Sequence, residues 1–165
     1  MARRPRPVFE STRNGFAINL DREEIDLLLR LLDEVRSIIT SDDPEYTHLL
    51  KRLFPPAYHL SNDEEAEAEY QRLMRDDLST SRLAAITTLE TTLRDGKKLD
   101  EGAMHSLLQA LNSVRLVLGT LLDVSESLDI DDIAADHPMV AEHHLYGYLS
   151  YLLDSAVEAL TSRGA

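Results

Sequence analysis

The sequence predicts a mainly α protein, a helical bundle of about five to six helices with a small N-terminal β-hairpin. Two observations predict it. Apolar residues recur at helical spacing through most of the chain, and clear helix start and stop signals separate the periodic segments. A third feature, two short alternating segments around Asn14-Gly15, marks the hairpin.

The hairpin is read from Phe9-Glu-Ser-Thr-Arg13 and Phe16-Ala-Ile-Asn-Leu20, joined through Asn14-Gly15 in a turn that needs positive φ angles. Asp21 and Glu24 then form a capping-box pattern opening a helix to about Thr40. That helix carries one apolar stripe of Ile25, Leu28, Leu29, Leu32, Val35 and Ile39, and a second of Leu27, Leu31 and Ile38. Asp42-Asp43-Pro44 opens a short helix that Phe54-Pro55-Pro56 stops. Asn62-Asp63-Glu64-Glu65 opens an acidic helix to about Arg75, and a separate one is expected over Ser79 to Arg94 with Gly96 as its left-handed cap. The strongest periodicity runs from Asp100 to about Leu122, the expected core helix. Residues from Val124 to His137 read as acidic and irregular, and Pro138 opens a last helix through Leu160.

A chain of 165 residues is long enough for one domain with its own core. The boundaries drawn are a basic N-terminal arm over 1–7 and a single helical domain over 8–165. No apolar run reaches the roughly 18 residues that cross a bilayer, and no apolar stretch follows Met1-Ala2-Arg3-Arg4-Pro5-Arg6-Pro7. A cytoplasmic location without membrane contact is therefore expected. The absence of cysteine excludes disulfides, thiolate catalysis, Cys-ligated zinc and thiol redox sensing within this chain.

The net charge is −13, with +3 on residues 1–19 and −16 on the rest. Between Arg115 and Arg163 there is no Lys or Arg, while Asp123, Glu126, Asp129, Asp131, Asp132, Asp136, Glu142, Asp154 and Glu158 are acidic. Such a field repels nucleic acid and favours a partner with a basic surface.

Catalytic motifs are lacking. There is no Gly-rich phosphate loop, no Gly-x-Ser-x-Gly elbow and no Ser/His/Asp order in strand–turn context, so the chain is not expected to be an enzyme or to bind a cofactor. The carboxylates Asp63, Glu64, Glu65, Glu67 and Glu69 suit the positive end of a helix macrodipole and read as a solvated face. His137, His143, His144 and Glu142 invite a metal reading, but His-Glu-x-x-His is absent and adjacent histidines diverge by about 100° on a helix. No metal site is expected.

Two groups remain as candidates. Arg115 lies in an apolar helix face between Asn112 and Gly119, where its guanidinium must find partners; a buried tie to an acidic neighbour is the plainer role, ligand binding the sharper one. Tyr146, Tyr148 and Tyr151 on the last helix read as an interface. With the paired stripes of the first helix they suggest a homodimer.

Leu53-Phe-Pro-Pro-Ala-Tyr58, Glu67-Ala-Glu-Tyr-Gln-Arg-Leu-Met74 and Leu111-Asn-Ser-Val-Arg-Leu-Val-Leu-Gly-Thr120 resemble an actinobacterial family of unknown function, across nearly the whole chain. Its genes are often found near the ClpS protease adaptor, and its members are labelled oxidative-stress transcriptional regulators of the AosR type. The resemblance implies a cytoplasmic helical regulator that contacts another protein, with no catalytic residues to carry over. Thiol switching does not carry over to a chain without cysteine. The leading expectation is thus a regulatory protein acting through protein contacts, in oxidative-stress transcription control. The alternatives are a DNA-contacting regulator using Arg3, Arg4 and Arg6 as an arm, and a protease-adaptor-associated protein or metal-binding enzyme.

Overall fold

In the computed structural model, Phe9–Thr12 (β1) and Gly15–Ile18 (β2) form an antiparallel hairpin. They are followed by the helices Arg22–Thr40 (α1), Thr47–Leu50 (α2), Glu64–Asp95 (α3), Glu101–Leu121 (α4) and Val140–Arg163 (α5), with a 3₁₀ turn over Pro44–Tyr46. The structure describes residues 5–54, 64–96, 98–123 and 133–164. The mainly α bundle with its small hairpin is as the periodicity predicts.

Local chemistry sets most boundaries. The Asp21 carboxylate accepts from Glu24 N at 2.8 Å and the Glu24 carboxylate accepts from Asp21 N at 2.9 Å, a complete capping box that satisfies two otherwise free amides. Asp100 caps α4 through Ala103 N at 2.7 Å. Gly96 closes α3 at φ +60°, the left-handed position expected of it.

Three expectations change. The two helices expected over 64–75 and 79–94 are one helix of 32 residues. Asp76-Asp77-Leu78-Ser79 looks like a cap, yet it contains neither Pro nor Gly, and an uninterrupted helix avoids leaving four amides and four carbonyls unpaired at a break. The hairpin turn also shifts: Thr12 pairs with Gly15, so Arg13 and Asn14 occupy the centre, and among the described non-glycine residues only Asp123 has positive φ. The second stripe of α1 is not a free face, because Leu31 and Ile38 pack against the chain's own core. The Pro55-Pro56 stop, the start at Asn62-Asp63 and much of the acidic stretch from Val124 lie outside the described residues.

The core sits where α4 crosses α3, α1 and α5, and the hairpin closes one end of it. Leu28, Leu32, Ile86, Leu89, Met104, Leu107, Leu111, Leu149 and Leu152 are all fully buried there. α3 joins this core from Leu78 onward: Leu78 and Leu83 pack against it partly buried, the fully buried residues begin at Ala85, and Leu73 and Met74 are exposed. Phe16, at 0% exposure, anchors the hairpin by exchanging hydrogen bonds with Leu99: Phe16 N donates to Leu99 O at 2.8 Å, and Leu99 N to Phe16 O at 3.0 Å. Among the described residues no helix is long and apolar enough to cross a membrane.

Candidate functional site

The Asn112, Arg115 and Gly119 positions lie one turn apart on α4, with Gly119 against Tyr146 of α5 and Arg52, which follows α2. Arg115 Nη2 donates to Asn112 Oδ1 at 3.1 Å, and Arg115 Nε is buried without a partner. Among the described residues no carboxylate pairs with Arg115. The tie exists elsewhere. Arg36 on α1 pairs with Glu90 on α3, a carboxylate only 8% exposed, and also donates to Thr87 Oγ1 at 3.3 Å. Arg82 on α3 donates to the buried Ser113 Oγ at 2.9 Å and to Leu53 O at 3.1 Å, and lies over the Phe54 ring. Burial lowers the pKa of that guanidinium. Helical periodicity does not reveal these pairings, because they join residues 31 and 54 positions apart.

Gly119 meets Tyr146 of α5. A Cβ there falls 2.9 Å from Tyr146 Cε2 and 3.0 Å from Arg52 Nη1, so the glycine lets the Tyr146 ring lie against α4. Gly119→Ala is expected to destabilise by about 1 kcal/mol in chemical denaturation, since overpacking of about 1–3 kcal/mol is only partly offset by better helix propensity.

The three tyrosines do not form one face. Tyr146 packs inward on Gly119, and the Tyr148 hydroxyl donates to Glu24 Oε1 at 2.7 Å, tying α5 to the start of α1. Only Tyr151, at 53%, is exposed. Glu24 thus caps α1 with one oxygen and holds α5 with the other. Burial, then the hydrogen bond to Glu24 and the charge of that carboxylate, push the Tyr148 phenol well above its ordinary pKa. An acid whose folded pKa is raised stabilises the fold below the unfolded value, near pH 10, and that contribution is lost as pH climbs beyond it. Tyr148→Phe is expected to cost about 1 kcal/mol at pH 7 and to flatten the fall in stability above about pH 10, as read by urea titrations across that range.

Tyr151 has companions the periodicity reading passed over. Asp154, Val157 and Glu158 follow it on the outer side of α5, all exposed, with Val157 at 49%. The stripe combines an aromatic ring, an aliphatic side chain and two carboxylates. The signal available for it was an apolar residue, Val157, sitting off the inward stripe of α5.

The histidines stay apart as ligands. His143 is buried with Nδ1 unpartnered and meets the His137 ring edge-on at 5.2 Å, while His137 Nδ1 accepts from Met139 N and His144 is exposed. No group of three or more side chains able to hold a metal occurs among the described residues. In the basic arm, Arg6 is exposed, and Arg3 and Arg4 lie outside the described residues.

Neither a curated protein nor a solved structure matches this chain. A family model does match, over residues 3–160, and its description is Domain of unknown function (DUF2017). Because that match covers residues 3–160 of the 165, the chain belongs to the DUF2017 family.

Proposed function

We propose that this chain is a cytoplasmic, non-catalytic regulatory protein that acts by binding another protein with a basic surface, in oxidative-stress transcription control. The observation that supports the reading is the outer stripe of α5, where exposed Tyr151 and Val157 alternate with Asp154 and Glu158. Exposed aromatic and aliphatic groups supply the apolar centre that a protein contact needs, and carboxylates beside them select a basic partner and speed its encounter. The stress-response setting rests on the family resemblance, and the regulator has no cysteine of its own with which to sense oxidants. The test is affinity capture from the native cytoplasm with mass spectrometry, using the parent and Tyr151→Ala/Val157→Ser. Enrichment of one protein by the parent, reduced in the variant and in high salt, is the expected result. Recovery of nucleic acid, or of no macromolecule, overturns the reading.

A homodimer is the competing use of that same outer stripe of α5, since the second stripe of α1 packs within the chain. Light scattering at micromolar concentration should then read twice the chain mass; a value of 18.6 kDa removes it.

A further inference from the structure

A cleft of about 420 Å³ opens between the end of α1, the start of α2 and the middle of α3. Its floor is apolar, formed by Ile39, Leu50 and Leu83, which belong to the core or pack against it. Its walls are polar and open to solvent: Asp42 and Asp43 follow α1, Thr47 opens α2 and Asp76 comes from α3, all four exposed. Exposed apolar side chains gather at the rim. Tyr46 precedes Thr47, Met74 precedes Arg75, and Leu73 stands one helical turn before Asp76. Leu73, at 60%, is the most exposed large apolar side chain among the described residues.

The cleft is also electrically one-sided. Asp43 spends one oxygen on capping Glu45 N at 3.0 Å, and among the described residues no Lys, Arg or His pairs with Asp42, Asp43 or Asp76. Arg75 is the cation on these walls, and its guanidinium is laid over the Phe54 ring, 5.7 Å from the centroid. The end of α1 adds to the field. Its last turn carries no basic residue, and among the described residues no backbone N–H caps its last carbonyls, so the negative pole of a 19-residue helix stands open beside Ser41 and Asp42. No three of the described carboxylates are grouped closely enough to hold a metal ion, so the charge is spread to suit a longer cation.

We propose that this cleft is a second protein-docking site, separate from the outer stripe of α5: it receives a Lys or Arg side chain of a partner segment whose neighbouring apolar residues rest on Tyr46, Leu73 and Met74. The inference goes beyond the reading of α5, since no residue of α5 lines the cleft. A long cationic side chain matches both parts of it. The aliphatic stem lies on the apolar floor, and the charged head reaches the carboxylates and the carbonyl end of α1. Exposed aromatic, aliphatic and Met side chains around such a pocket supply the apolar contact of a protein interface, while the carboxylates reject an acidic partner. The same charge argues against a second copy of this chain, which itself carries −13.

The experiment titrates the full chain, ¹⁵N-labelled, with two acetylated and amidated peptides: Ala-Leu-Arg-Ala-Leu-Arg-Ala and its counterpart with Glu in place of Arg. The Arg peptide is expected to shift the amides of Asp42, Thr47, Asp76 and Ser79, less so in high salt, and the Glu peptide to shift none of them. Asp42→Lys/Asp76→Lys should weaken binding of the Arg peptide at least tenfold without changing the melting temperature, because both carboxylates are exposed. Leu73→Ser, on the rim, should weaken it by a smaller factor, and decides the matter if the charge-reversal variant fails to fold. Tyr151→Ala/Val157→Ser should bind the Arg peptide at the cleft as the parent does, which keeps this site distinct from α5. Absence of these shifts at millimolar Arg peptide overturns the proposal, as does equal binding of the Glu peptide or shifts confined to α5. Changes at the same amides on simple dilution, without peptide, overturn it in favour of a second copy. Equal shifts with millimolar calcium or magnesium chloride overturn it in favour of an ion site.

Discussion

Gly15→Ala is expected to lower stability by about 3–4 kcal/mol and the melting temperature by roughly 10 °C, the largest effect of any single methyl group added to this chain. Two costs combine. The Gly15 φ of +142° lies in a region that side-chain-bearing residues rarely adopt. A Cβ there also falls 2.2 Å from the Leu99 carbonyl oxygen, inside any tolerable contact, and the obstacle is backbone that cannot rotate aside. Relief requires the hairpin to move off the Leu99 bridge, which breaks the Phe16–Leu99 hydrogen bonds and exposes the fully buried Phe16 and Leu99 side chains. Thermal unfolding followed by circular dichroism measures the loss. A parental melting temperature would mean that the hairpin is not fastened through this bridge.

Arg36→Met is expected to destabilise by about 3 kcal/mol, whereas Arg115→Met should stay within about 1 kcal/mol of the parent. Replacing Arg36 with Met keeps the aliphatic stem and removes the guanidinium, which leaves the Glu90 carboxylate with 8% exposure and no counter-charge between α1 and α3. An unpaired carboxylate in that position costs far more than a surface pair contributes; the partial exposure of Arg36 keeps the figure at the low end of the buried range. Arg115 differs in kind. Its bond to Asn112 lies within one helix, and its buried Nε has no partner, so truncation removes an unsatisfied donor and, among the described residues, strands no charge. Urea denaturation of both variants side by side is the measurement. Equal losses, or a larger loss at Arg115, would contradict the assignment of the helix tie to Arg36.

The α5 face shows how sequence spacing and tertiary contact divide the work. Tyr146, Tyr148 and Tyr151 read as one stripe of the last helix, but their environments in the fold separate them. Tyr146 goes to the glycine notch of α4 and Tyr148 to the capping carboxylate of α1, leaving Tyr151 with Val157 on the surface. The three-turn reach from Tyr151 to Ser162 along α5 becomes a groove wall only because β1 lies alongside it.

What the sequence by itself determined is whatever depends on neighbours within about a turn or a hairpin: the helices of the bundle, the Asp21–Glu24 capping box, the Gly96 terminus, the inward stripes and the acidic field of the C-terminal third. Those signals are local because hydrogen bonds to i±3 and i±4, and amphipathic periodicity, are set by residues close in the chain. Only the tertiary structure decided which arginine meets a buried carboxylate, that α3 runs unbroken through Ser79, and that Gly15 serves the Leu99 carbonyl and not the turn. Each depends on groups brought together from distant positions, where the energy lies in pairing and packing between elements and no sequence period records the partner.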